Sequence, residues 1–290
     1  MESRSARFLI KAGSVIAMLF LYVPLALVVV YSFNASVGQK WPIEEFTTKY
    51  WTLAWKSPDV REALTNSTIV ATMATILALV LGSLAAFAVH RFRFFGRNAV
   101  SLFLVLPIAL PGIVTAIALN ASINNLGITF SLWTIMIGHA TFCIVVVYNN
   151  VIARLRRTPG SLVEASMDLG ANGWQTFRMV TFPAIRTAIV AGALLAFALS
   201  FDEIVVTNFV SGTELTIPKF IFNNLRQPRN RPIINVVAVG VTVAMLIPVY
   251  IAQRIAGGGA DIATPTPPGR REGPTDTVTA AAAAQSSQGA

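Results

Sequence analysis

The sequence predicts an all-α polytopic membrane protein with six transmembrane helices. Three observations carry that reading. The 290 residues are 54% hydrophobic and only 12% charged, which is about half the charge of an ordinary soluble domain. The apolar residues are gathered into blocks long enough to cross a bilayer, rather than spread through a globular core. The lysines and arginines concentrate in alternate connections between those blocks, as a chain threading back and forth through a membrane requires.

The six blocks run 12–33, 67–89, 100–123, 132–152, 185–210 and 234–252. Arg4, Arg7 and Lys11 precede the first. Its apolar run is too long for a signal peptide and no small-x-small cleavage site precedes Asn34, so it is read as a retained span. Arg91, Arg93 and Arg97 fill the second connection; Arg154, Arg156, Arg157, Arg178 and Arg186 fill the fourth; Arg254 follows the last span. These fall on one side, which is assigned to the cytoplasm together with both termini. The fifth connection is the exception: Lys219, Arg226, Arg229 and Arg231 outweigh Glu214 on the expected outer side. The domain organisation expected is a cytoplasmic N-terminus at 1–11, a transmembrane domain at 12–255 and a disordered cytoplasmic tail at 256–290. The tail is rich in Gly, Pro, Thr, Ala and Ser and cannot offset its chain entropy by apolar burial.

The net charge of +9 would suggest a nucleic-acid partner in a soluble protein. Here it reflects basic loops, and no nucleic acid is expected. The single cysteine, Cys143, excludes an intrachain disulfide and reads as a small buried packing residue. No metal site is expected, and no GxxxxGK[ST], HExxH or GxSxG motif occurs. Neither a nucleotide site nor a catalytic centre is therefore placed on this chain.

The fourth connection is longer than a loop needs to be. Ser161 with Glu164 reads as a capping box opening one short helix, and Gly170 stops it. Asn172 with Gln175 repeats the signal; Trp174, Phe177 and Val180 then share one face, and Pro183 is expected to end the second helix. A water-facing helix pair with an apolar-aromatic face, within 158–183, suggests a docking surface. Glu164 and Asp168, one turn apart, are positioned to meet basic groups of a partner.

Polar groups and helix breaks within the spans mark a candidate path. Pro107, Pro111 and Gly112 should kink or unwind the third span. Asn120 lies near its outer end, and His139 in the fourth span is expected to face protein. Asp202 and Glu203 sit on the fifth span, with Asp202 17 residues past Ile185, about 25 Å along a helix and so in the outer half. They are read as admitting or sensing solute, against the alternative of acids wetted at the outer interface.

Two sets of residues resemble a known family. Glu164, Ala165, Gly170, Val180 and Pro183 stand at the intervals of the cytoplasmic Glu-Ala-Ala signature of permease subunits in ATP-binding-cassette (ABC) importers, with Ser166 where a second Ala is usual and Phe182 where Leu is usual. Ser200 to Val206 with Phe209 and Gly212, His139 with Phe142 and Cys143, and Phe46 to Trp51 resemble the second permease of spermidine/putrescine importers. The resemblance implies a type I importer permease (MetI-like) fold in a bacterial inner membrane, forming half of a pore with a second permease, paralogue or copy. It further implies ATPase subunits docked on the helix pair, an extracytoplasmic solute-binding protein, and ATP with Mg held by the ATPase alone. Glu164, Ala165, Asp168, Gly170, Trp174 and Pro183 would couple to that ATPase. Asp202, Glu203, Asn120, Pro111 and His139 would line the path. One departure is Gly112, where polyamine permeases tend to have an acid. A permease for ferric ion, phosphonate or another small anion stays open, as does an ion-coupled secondary carrier.

Overall fold

The structure, a computed structural model, describes residues 4–257, so the tail expected at 256–290 lies almost wholly outside the described residues. Twelve helices follow in order: α1 Arg4–Tyr31, α2 Lys49–Lys56, α3 Pro58–Arg91, α4 Arg97–Ala109, α5 Gly112–Asn125, α6 Leu132–Arg157, α7 Gly160–Asp168, α8 Gly173–Thr176, α9 Phe182–Phe201, α10 Val205–Val210, α11 Ile217–Asn224 and α12 Arg231–Gly257. Among the described residues, five helical segments are long and apolar enough to cross a membrane, and six if the bent pair α4–α5 is one span.

The core is built on α3, α6 and α9. Val70 of α3 clusters with Ile135 of α6, and Val89 with Ile152, so these two helices run in the same direction. The thiol of Cys143 reaches the Ala196 carbonyl at 3.4 Å and Arg154 Nε donates to Ala184 O at 2.9 Å, so α9 runs the opposite way. Cys143 is fully buried, as its packing role requires. Small residues let α3 and α6 approach. Ala74, Ala78, Gly82 and Ala86 recur every four residues on one face of α3 and are all buried. A Cβ on Gly82 would stand 2.8 Å from Ile144 O and 3.1 Å from Tyr148 N. In a membrane, where apolar burial drives no helix association, such close backbone packing supplies the attraction instead.

Three expectations need correction. The first connection is largely helical: α2 fills part of it, and α3 begins at Pro58, well before the residue 67 expected. Pro58 is the reason, since a proline in the first turn has no N–H to waste and its φ is already helical. Pro183 does not end a helix. α8, a π-helical turn at Phe177–Thr181 and α9 form one helical segment of 29 residues, Gly173–Phe201. The π turn closes with Phe182 N–H donating to Phe177 O, five residues back. This wider turn, immediately before the ring, gives Pro183 room that a regular α-turn would deny. Finally, the fifth span stops at Phe201 rather than residue 210, and Asp202, Glu203 and Ile204 lie in a non-helical break.

The break expected in the third span is present and large. α4 and α5 meet at Pro111 with a bend of 104°. Leu110 is held extended (ψ 144°), as the residue before a proline prefers, and Pro111 continues that turn.

Candidate functional site

Two regions concentrate the residues selected from sequence, at opposite ends of the α3–α6–α9 core. One is the helix pair α7–α8, at the end where α3 and α6 finish in arginines. The other is the break between α9 and α10.

At the arginine end, α7 stops through a Schellman turn. Gly170 takes φ +86°, its N–H donates to Met167 O at 2.9 Å, and Ala171 N–H donates to Ser166 O at 3.1 Å. A side chain would be strained at that φ, so glycine is required here. The box expected at Asn172 forms in full: Gln175 N–H donates to Asn172 Oδ1 at 2.9 Å and Asn172 N–H to Gln175 Oε1 at 2.8 Å. The box expected at Ser161 does not form. α7 begins one residue earlier, behind Pro159, and Ser161 makes no cap. Proline at that position already fixes the incoming chain, and Glu164 is left free on the surface.

The two short helices are tied by the Ser166 and Thr176 hydroxyls at 3.1 Å. Phe177 anchors them to the core. It stacks on Trp174 with 5.6 Å between centroids, meets Phe87 of α3 edge-on at 5.5 Å, and contacts Phe182 at 6.1 Å. Outside this anchor the unit is bare: Leu169 is 89% exposed and Trp174 67%, with Leu162, Met167 and Met179 exposed as well. Glu164, Ala165 and Asp168 are exposed on α7, and neither acid has a hydrogen-bond or ion-pair partner among the described residues. The structure thus brings Glu164, Ala165, Asp168, Gly170 and Trp174 onto one small helical unit. Pro183 lies apart, exposed in the helix leading into the core.

At the other end, polar groups close on one another. His139 is 1% exposed; its Nδ1 pairs with Ser200 Oγ at 2.8 Å and its Nε2 with Thr207 Oγ1 at 2.9 Å. Thr207 donates its own hydroxyl proton to Glu203 O at 2.7 Å. Its oxygen can then only accept from the ring, which places an imidazole proton on Nε2. His139 is therefore a crosslink holding α6 to both sides of the α9–α10 break. Glu203 is a local cap, with Oε1 accepting from Val206 N–H at 2.9 Å. Asp202 is exposed and has no partner among the described residues.

The other residues selected for the path, Asn120 and Pro111, lie on or beside α5. Asn120 Nδ2 donates to Phe209 O, and Asn120 Oδ1 accepts from Asn124 Nδ2 at 3.0 Å, clasping α5 to α10. Gly138 leaves room for Val206, whose Cγ1 would stand 2.9 Å from an added Cβ. Pro111 is exposed at the α4–α5 bend, away from these contacts. Of the two acids, Asp202 is exposed without a partner among the described residues, whereas Glu203 is partly buried and caps α10 through Oε1. Sequence reasoning assigned no role to Ser200, Thr207, Phe87 or the asparagine clasp. The only signal was polar residues flanking two acids in an apolar block.

Lys219 also turns inward. Its Nζ donates to Ser211 Oγ and Gly212 O, both at 2.7 Å, and to Glu214 O at 2.9 Å. Burial draws its ammonium below the ordinary lysine range, with the Glu214 charge working against that. It staples a loop, and only Arg226, Arg229 and Arg231 of this connection offer exposed cations.

Residues 78–257, more than half of the chain, match the family described as "Binding-protein-dependent transport system inner membrane component". The chain belongs to that family. Membership makes it a pore-type component of a transport system rather than an enzyme, and a multi-pass inner membrane protein. Among curated members, the chain is 34% identical over 238 residues to the "Spermidine/putrescine transport system permease protein PotC" of Escherichia coli (strain K12), covering 82% of this chain and 89% of that one. It is 34% identical over 245 residues to the "Putrescine transport system permease protein PotI" of the same organism, covering 80% and 85%. Its fold matches that of a bacterial ABC transporter involved in the import of the acidic polysaccharide alginate, with a TM-score of 0.65 at 16% identity over 88% of this chain and 98% of the other. It also matches the MetNI methionine ABC transporter, with a TM-score of 0.55 at 18% identity over 69% and 94%. The fold is thus that of an ABC importer permease, as the sequence predicts.

Proposed function

We propose that this chain forms one half of the pore of an ATP-driven importer whose solute is a polyamine of the spermidine/putrescine class. The arginine-rich end faces the cytoplasm, with both termini on that side. There α7–α8 docks on a separate ATPase subunit, which holds ATP and Mg. A second permease completes the pore, and an extracytoplasmic binding protein delivers solute to the end carrying Asp202. The observation that carries this reading is the α7–α8 unit: a folded helix pair, fixed by its own caps, that leaves an apolar face and two acids without a partner.

The geometry supports a lever. Gly173–Phe201 is one helical segment of 29 residues, about 43 Å long, joining the docking face to the break at Asp202. A shift of α8 reaches α3 and α9 through Phe177, which touches Phe87 and Phe182. At the far end it acts on a break that His139 holds from both sides. Asp202 offers an unpaired anion to a cationic solute. The polyamine assignment draws on the two 34%-identical relatives and on Asp202, while the inward-turned Lys219 weakens the case for an anion.

Uptake of radiolabelled spermidine by cells carrying the complete importer tests the reading. Competition by putrescine and not by a phosphonate is expected. Competition by phosphonate alone would overturn the polyamine assignment, and uptake unaffected by Glu164→Ala at normal expression would overturn the docking role.

A further inference from the structure

The loop joining α3 to α4 takes no part in either site. It reads Arg91-Phe92-Arg93-Phe94-Phe95-Gly96-Arg97. Phe92 and Phe94 are exposed, and Phe95 is fully so. Gly96 turns the chain at φ +83°, and an added Cβ there would meet nothing within 4 Å, so the loop stands clear of the core. Three bare aromatic rings in water are unfavourable. These rings lie between the end of α3 and the start of α4, both apolar helices, and the end of a membrane-spanning helix falls where hydrocarbon gives way to headgroups.

The charge on this loop is equally one-sided. No Asp or Glu occurs between Glu62 and Glu164. Arg91, Arg93 and Arg97 have no acidic partner among the described residues. Arg97 and Arg156 both lie close enough to His90 for their charges to act on it, so the end of α6 adds a cation to the same patch. Guanidinium groups bind phosphate oxygens in bidentate fashion, and the adjacent rings suit the acyl-glycerol boundary beneath. An acidic protein surface would satisfy the arginines, but it would not reach rings at bilayer depth.

We propose that loop 91–97, with Arg156, is a binding site for an anionic phospholipid: the arginines hold the headgroup phosphate while Phe92, Phe94 and Phe95 anchor in the interface. The proposal uses the placement of this end at the cytoplasmic leaflet, but its test does not depend on sidedness. The purified full chain in detergent micelles is titrated with phosphatidylglycerol or phosphatidylcholine of the same acyl chains, and retained lipid is counted by native mass spectrometry. Phosphatidylglycerol is expected to be retained about fivefold better for each contributing arginine. The R93A/R97A variant should lose about tenfold or more of that preference, while its helical circular dichroism and monodispersity stay unchanged. Phe95→Ala, at a fully exposed position, controls for folding and should weaken retention of both lipids. Equal retention of the two lipids, or a variant indistinguishable from the parent chain, would overturn the proposal. Displacement of the lipid by millimolar inorganic phosphate would reassign the patch to free phosphate. Unchanged lipid retention with loss of ATPase co-purification would reassign it to a protein contact.

Discussion

The two ends of this molecule treat polar groups in opposite ways. At the α9–α10 break, His139, Ser200, Thr207 and Glu203 satisfy one another inside the chain, and only Asp202 is left over. At α7–α8 the backbone is capped with equal care, yet Glu164, Asp168, Leu169 and Trp174 are left facing outward. The difference teaches what each end is for. A region that closes its own hydrogen bonds holds the fold, whereas one that caps its backbone but bares its side chains is prepared for a partner. Damage at the first should therefore appear in stability, and damage at the second in transport.

The largest effect is expected at the docking unit. Gly170→Leu strains the +86° turn, and Glu164→Ala removes an outward acid. Each should lower ATP-driven uptake by about tenfold or more, within the range of coupling energies between distant sites. The thermal midpoint of the purified chain should move little for Glu164→Ala, whereas Gly170→Leu adds the cost of its strained turn. A large drop in that midpoint for Glu164→Ala would mean that the docking end also holds the fold, and the contrast would fail.

His139→Leu should do the reverse. Losing two interhelical hydrogen bonds, and with them the Ser200 hydroxyl's partner, should cost about 1–3 kcal/mol, read as a lower thermal midpoint in detergent. Ser200→Ala combined with Thr207→Val should largely abolish the further effect of His139→Leu, because both hydrogen bonds to the ring would already be gone. An unchanged midpoint in His139→Leu would show that the break is held by packing alone.

Asp202→Asn sharpens the contrast within one short segment. It should raise the KM for a cationic solute by about fivefold, the worth of one solvent-screened charge pair, with stability unchanged. Glu203→Gln, one residue on, keeps an acceptor for the Val206 N–H and should have the smallest effect: less than about 1 kcal/mol in stability and no change in KM. Equal KM effects at both positions would remove the distinction between a solute-facing acid and a capping acid.

The docking end could be read from sequence because its signals are local. Gly170 at a helix stop and Asn172 with Gln175 three residues on act over single turns, and both behave as their spacing indicates. The errors there are also local: Pro159 took over the start of α7 from Ser161, and the π turn absorbed Pro183. The other end could be read only as an anomaly, two acids in an apolar block. The partners that explain it stand 61 and 68 residues from His139 in sequence, and nothing in the spacing of Ser200 and Thr207 points back to it.

By itself the sequence determined the apolar blocks, the sidedness bias of the arginines, the break at Pro111 and the turn at Gly170. Each of these follows from solvation or from backbone sterics acting within a few residues. Only the tertiary structure decided which polar groups inside the spans are satisfied. It separated Asp202 from Glu203, turned Lys219 inward and made His139 a crosslink. The physical reason is that a hydrogen bond between helices depends on how closely they approach, and that approach is set here by small residues such as Gly82 and Gly138, which admit segments distant from them in the chain.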